Sequence, residues 1–216
     1  MMQTRPRILL ADDHKIVVDG LRTLLEPEFE VCDEAASDGQ ALIALAQALK
    51  PDVIVADISM PLLNGIDAVR KLRELGCSSR MVFLTMHPDV TYLSRALEAG
   101  ASAYVLKHAA SDELIAAIRA SLNGETFLSP QLRSASVDEL LDETRRHGRQ
   151  TIEVTPRQRE VLQLLAEGKS AKEIGALLDI SPRTVETHKY KMMDDLGVKT
   201  TAQLVQHAVR LGLIHP

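Results

Sequence analysis

The stretch Pro51-Asp52-Val53-Ile54-Val55-Ala56-Asp57 decides how the rest of this 216-residue chain is read. Four consecutive apolar residues, Val53 to Ala56, predict a short strand covered on both faces, because a half-exposed strand would alternate with polar residues. Asp57 then places a carboxylate at the strand's C-terminal end, the edge where open parallel sheets gather ligands and chemistry. A turn-forming run, Ile58-Ser59-Met60-Pro61-Leu62-Leu63-Asn64-Gly65, follows. A helical pattern resumes at Ile66.

Outward from Asp57, strand and helix patterns alternate. Arg7 to Ala11 reads as a first strand stopped by Asp12-Asp13, and Ile16, Val17, Leu21, Leu24 and Leu25 line one face of a helix ending near Pro27. Phe29 to Ala35 is a second strand and Gly39 to Lys50 a second helix. Beyond the Asp57 strand come a helix over Ile66 to Leu75, a strand over Arg80 to Thr85 and a helix over Asp89 to Ala99. A last strand, Ala101 to Leu106, ends in Lys107, and Ser111-Asp112-Glu113 caps a helix to Leu122. Five such alternations predict an α/β fold, a doubly wound five-stranded parallel sheet with right-handed crossovers.

Parallel strands bring all their C-terminal ends to one edge, so Asp12, Asp13, Asp57, Thr85 and Lys107 converge. Each alone has an ordinary use as a helix cap, a turn residue or a solvated charge; together they suggest a site. Three carboxylates brought together repel unless a cation offsets them. Carboxylate oxygens with a backbone carbonyl suit a hard ion such as Mg²⁺. An aspartate beside Mg²⁺, an ammonium and a hydroxyl is equipped to accept a phosphoryl group.

Residues 7–122 resemble the receiver domain of bacterial two-component response regulators. The resemblance is carried by Asp12-Asp13, by Asp57 followed by Met60-Pro61 and Gly65, and by Thr85, Tyr104 and Lys107. It implies that Asp57 takes a phosphoryl group from a histidine kinase. It further implies that Asp12, Asp13, Asp57 and the Ser59 carbonyl hold Mg²⁺, that Thr85 and Lys107 grip the phosphate, and that Tyr104 turns inward as Thr85 moves. One departure is His108, where many receivers carry a proline after the lysine.

The alternation stops after Gly124. Residues 125–150 are rich in Ser, Thr and charges and read as a linker, with Val137, Leu140 and Leu141 spaced for a short amphipathic helix. From Thr151 four helices are predicted and no strand: Thr155-Pro156, Ser170, Ser181-Pro182 and Thr200 each supply a cap, and Gly168 and Gly197 supply stops. The short connection Asp179-Ile180 marks a helix-turn-helix. The expected organisation is thus 1–124, 125–150 and 151–216.

On the third of these helices Val185, Met192 and Leu196 share an inward face, while Arg183, Glu186, Thr187, Tyr190 and Lys191 spread over the opposite one. Such a mixture of donors, acceptors and one aromatic suits base edges as well as solvent. Lys189 and Lys191 flank that face, and His188 lies nearer the core. Thr155 to Leu162, Gly168-Lys169-Ser170 and Ser181 to His188 closely resemble the LuxR-type DNA-binding domain. Both domains in this order resemble the NarL/FixJ family of response regulators. The DNA-contacting set this implies is Lys169, Arg183, Thr184, Glu186, Thr187, His188, Lys189, Tyr190 and Lys191. Asp194-Asp195 departs from the mostly basic residues the family often shows there and predicts weakened affinity, since anions at a helix C-terminus oppose its dipole and repel phosphate.

Charge and composition agree with two partners. Thr151 onward carries 9 Lys and Arg against 8 Asp and Glu, leaving 16 basic and 22 acidic groups in the first 150 residues. Cys32 and Cys77 lack metal-ligand spacing and suit a reducing cytoplasm. No signal peptide or membrane-length apolar run is read. The expected protein is not an enzyme but a DNA-binding transcription regulator, switched by phosphorylation and pairing as a homodimer on two half-sites of double-stranded DNA. An Asp-based phosphohydrolase is the competing class, but the sequence offers it no second catalytic acid, and it leaves the last four helices unexplained.

Overall fold

The computed structural model describes residues 5–109, 111–133 and 154–214. Val137, Leu140 and Leu141 lie outside them. The chain divides into two compact units, one reaching to Arg146 and the other beginning at His147.

The first unit is built on a parallel sheet of β1 (Arg7–Ala11), β2 (Glu30–Ala36), β3 (Val53–Ala56), β4 (Arg80–Thr85), β5 (Ala103–Leu106) and β6 (Phe127–Leu128). The order is β2-β1-β3-β4-β5-β6, which puts β3 inside the sheet. The sheet therefore has six strands, not five. The extra one is two residues long, too short for any periodic signal, and it lies in the stretch read as linker. Helices α1 (Lys15–Leu25), α2 (Gly39–Leu49), α3 (Gly65–Glu74), α4 (Val90–Glu98) and α5 (Ser111–Leu122) connect the strands, and a single turn, α6 (Pro130–Arg133), follows β6.

Alternation along β3 divides the core in two. Ile54 and Ala56 pack with Leu42, Val69, Leu72 and Leu93 from α2, α3 and α4. Val53 and Val55 pack with Val18, Leu25, Leu114 and Ile118 from α1 and α5 on the other face. All four residues of β3 are at most 2% exposed, as a strand covered on both faces requires. Asp38, Asn64 and Asp89 cap α2, α3 and α4 by accepting backbone N–H groups, each worth about 1 kcal/mol.

The second unit contains α7 (Pro156–Ala166), α8 (Ala171–Leu178), α9 (Pro182–Asp195) and α10 (Thr201–Arg210). Thr155, Ser170 and Thr200 form capping boxes with Gln158, Glu173 and Gln203, and Ser181 caps α9. Asp179 adopts a left-handed conformation, φ 52°, at the end of α8. A Cβ on Gly175 would come within 2.7 Å of the Ile180 carbonyl oxygen, so only glycine lets the turn fold back this tightly. Val185 and Met192 are buried at 0% and 1%.

Candidate phosphoacceptor site and nucleic-acid interface

Register places the first site. Ala11 pairs with Ala56 across β1 and β3, so the next residues, Asp12 and Asp57, leave the sheet side by side. Thr85 pairs with Leu106, so Lys107 emerges one residue beyond β4's last. Gly65 closes the loop behind Asp57: a Cβ there would sit 2.1 Å from the Asp57 carbonyl oxygen. In the same loop Leu62 holds a left-handed φ of 65°, a strain of order 1 kcal/mol for a residue with a Cβ.

Asp57 is 6% and Asp12 4% exposed. Lys107 Nζ donates to both, at 2.8 Å to Asp57 and 2.6 Å to Asp12. The other Asp57 oxygen accepts the Ile58 amide at 2.7 Å. Burial pushes the Asp57 carboxyl above the usual carboxylate range, against the pull of Lys107. Burial likewise disfavours the Lys107 ammonium, but hydrogen bonds to Asp12 and Asp57 outweigh it and hold the group above its ordinary range.

Asp13 is exposed and its carboxylate lies 2.9 Å from His14 Nδ1. One donor atom each of Asp12, Asp13 and His14 falls within 4.8 Å of the others. With Asp57 tied to Asp12 through one ammonium, the oxygen-rich donor set fits a hard divalent cation better than a soft one.

Thr85 and Tyr104 are fully buried. The Thr85 hydroxyl accepts the His87 amide at 3.2 Å, and the Tyr104 hydroxyl donates to the His87 carbonyl at 2.7 Å. The Tyr104 ring therefore points inward in this structure. Burial, followed by the Asp89 charge, raises its phenol well above the ordinary range. The Ser59 hydroxyl meets His87 Nε2 at 2.7 Å, and the imidazole stacks on Tyr92 with centroids 4.3 Å apart. His87 and His14 escaped the sequence reading. Their only signal was adjacency: His87 follows Thr85 by two residues, and His14 follows the acidic pair. The peptide between Lys107 and His108 is trans.

On α9, Arg183, Thr187, Tyr190 and Lys191 are exposed, while Thr184, Glu186, His188 and Lys189 are half-buried, as is Lys169 ahead of α8. Glu186 is not simply outward-facing. Its carboxylate holds Lys189 Nζ at 2.9 Å, and that ammonium also lies 5.1 Å from the Tyr190 ring centroid. The Thr187 hydroxyl donates back to the Arg183 carbonyl at 2.9 Å.

The model of the response regulator receiver domain matches residues 8–119, and that of the luxR family of bacterial regulatory proteins matches residues 153–208. The chain belongs to the response regulators. Its relatives include the transcriptional regulatory protein MctR of Rhizobium johnstonii, 36% identical over 99% of this chain and 98% of that protein. The oxygen regulatory protein NreC of Staphylococcus carnosus is 34% identical over 96% and 99%. Among solved structures, RcsB of Salmonella enterica serovar Typhimurium, bound to a promoter in the presence of the phosphomimetic BeF3⁻, is 30% identical with a TM-score of 0.63. That match covers 95% of this chain and 98% of RcsB. This response regulator thus joins a receiver domain to a LuxR-type DNA-binding domain and is a transcription regulator of a two-component system. Among the described residues no helix is long and apolar enough to cross a membrane.

Proposed function

We propose that Asp57 is the phosphoacceptor through which a cognate histidine kinase switches this regulator's grip on promoter DNA. One observation carries the reading: a nearly buried carboxylate ends the central strand with Lys107 bridging it to Asp12. The Asp57 oxygen attacks phosphorus as the P–N bond of the kinase's phosphohistidine breaks, and the released imidazole regains its nitrogen lone pair. Asp12, Asp13, Asp57 and the Ser59 carbonyl hold Mg²⁺, which when bound offsets charge on the phosphoryl oxygens. Lys107, already within reach of Asp57, moves to a phosphate oxygen. The Thr85 hydroxyl, which accepts the His87 amide at 3.2 Å, swings to donate its proton to a second phosphate oxygen and gives up that amide in exchange. That exchange loosens the loop on which Tyr104 is fastened, which is how the site would reach a distant surface.

The second half of the proposal is that the phosphorylated chain pairs as a homodimer on double-stranded DNA. α9 reads bases through Glu186, Thr187 and Tyr190, with Arg183, Thr184, His188, Lys189 and Lys191 at its margins and Lys169 contributing from ahead of α8. Support comes from the caps that fix α9, from the exposure of Arg183, Thr187, Tyr190 and Lys191, and from the promoter-bound RcsB relative. Free Cys32 and Cys77 fit a reducing cytoplasm. The protein would not turn over substrate as an enzyme.

Incubation of the full chain with acetyl phosphate and Mg²⁺, followed by intact mass, tests the acceptor. One phosphoryl group is expected, and none on Asp57→Asn. Labelling of Asp57→Asn at comparable yield would overturn the assignment.

A further inference from the structure

We propose that Ser129, outside the acceptor site and beyond the last receiver helix, is a positioning residue for Lys107; the proposal rests on Asp57 being the phosphoacceptor. β6 pairs with β5 for two residues only, Phe127 with Ala103 and Leu128 with Tyr104. The Ser129 amide continues the ladder to the Tyr104 carbonyl at 3.0 Å. The chain then turns into α6, so no backbone carbonyl of β6 is left for the Leu106 amide. The Ser129 hydroxyl takes that place, accepting the Leu106 N–H at 3.2 Å while donating its own proton to Glu113 Oε2 at 2.8 Å. Both residues are buried, Ser129 at 0% and Leu106 at 1%. A hydroxyl can fill both roles at once, whereas a methyl group fills neither.

Leu106 is the residue on which the lysine turn is built. Its carbonyl accepts the Ala109 amide at 2.8 Å, and the next amide, that of Lys107, donates to the Thr85 carbonyl at 2.7 Å. Ser129 fixes the remaining backbone group of Leu106. Leu132, one turn later, packs in the same core as Leu106 and Tyr104, which keeps the segment from swinging away. Lys107 in turn has little slack, with its ammonium held between two buried carboxylates at 2.6 and 2.8 Å. Loss of the Ser129 hydroxyl orphans a buried amide whose residue is covalently joined to Lys107, and the cheapest relief is a shift of the strand end. A charged group meant for a transferring phosphate loses much of its effect when displaced by about an ångström.

The test follows the rate of acetyl phosphate labelling in Mg²⁺, by intact mass, on full-length chains. Ser129→Ala is expected to slow labelling roughly fivefold or more, and Ser129→Thr, which keeps the hydroxyl, to recover most of the rate. If Ser129 acts through Lys107, Ser129→Ala adds nothing in a Lys107→Ala background. An equal slowing in both backgrounds, or wild-type rates in Ser129→Ala, overturns the proposal. Should Ser129→Ala fail to fold, Glu113→Gln loosens the same hydroxyl and must slow labelling only when Lys107 is present. A wild-type chain that takes no label overturns the acceptor reading itself, and this proposal with it. Labelling in the wild type together with insensitivity at Ser129 overturns the positioning role alone.

Discussion

Lys107 Nζ lies 2.8 Å from an Asp57 carboxylate oxygen, and the same ammonium serves Asp12 at 2.6 Å. It is the cation shared by two nearly buried carboxylates, so its loss leaves two buried charges uncompensated. Removing one partner of such a cluster costs about 3 kcal/mol. Lys107→Ala is therefore expected to lower stability by about that much in divalent-free buffer. Mg²⁺ should return more stability to the variant than it adds to the wild type, because binding to the folded state stabilises it and the variant has the larger deficit. Denaturant unfolding with and without Mg²⁺ checks this, and equal Mg²⁺ increments would count against the shared-cation role.

The Ser59–His87 hydrogen bond makes a second prediction. It links the loop after Asp57 to the loop after Thr85, and His87 also holds Thr85, Tyr104 and the face of Tyr92. Ser59→Ala removes only the contact to the ring and should cost about 1 kcal/mol. In a His87→Phe background, which keeps a stacking ring but no ring nitrogen, the same substitution should cost almost nothing. A double-mutant cycle on unfolding free energies reads the coupling, and strict additivity would show that the two loops are not linked through this bond.

How much of this the sequence disclosed follows from the range of the forces involved. The buried strands and the edge shared by Asp12, Asp57, Thr85 and Lys107 were legible because short apolar runs and parallel topology are local patterns with few solutions. The caps Thr155, Ser170, Ser181 and Thr200 were legible for the same reason. His87 was not. Its partners Ser59 and Tyr104 are brought to it by folding, and no spacing encodes them. β6 escaped because two residues carry no period and a side-chain hydroxyl ends its ladder. The Glu186–Lys189 pair was readable as an i,i+3 contact, but sorting residues into inward and outward faces hid it.

Tyr104 carries a prediction about pH. Its folded pKa lies above the ordinary tyrosine range because of burial, so the folded state resists ionisation that the unfolded chain undergoes near pH ~10. A raised folded pKa contributes stability that is fully present below the unfolded value and is lost as pH rises past it. Tyr104→Phe, which also loses the bond to the His87 carbonyl, should be less stable than the wild type at neutral pH. That deficit should shrink above pH ~10. A gap constant across this range, measured by urea unfolding, would refute the shift.

If α9 reads DNA as proposed, contacts to bases separate from contacts to phosphates by their effects on specificity and on salt dependence. Lys191 is exposed at the margin of α9, so Lys191→Ala should weaken cognate and random DNA in parallel and lower the salt slope by about 1. Thr187→Ala should cost about 1–3 kcal/mol on the cognate site alone; its hydroxyl proton is committed to the Arg183 carbonyl, so the oxygen is left to accept from a base. Glu186→Ala should differ from both. Its carboxylate holds Lys189 Nζ at 2.9 Å, and deleting it removes the proposed base contact while freeing an ammonium for the DNA backbone. Affinity for random DNA should therefore rise while cognate affinity falls or stays level, narrowing the gap between them. Titrations of cognate and scrambled duplexes at two salt concentrations decide the matter. If Lys191→Ala alters discrimination while Thr187→Ala does not, α9 enters the groove in a different rotation and the division of roles fails.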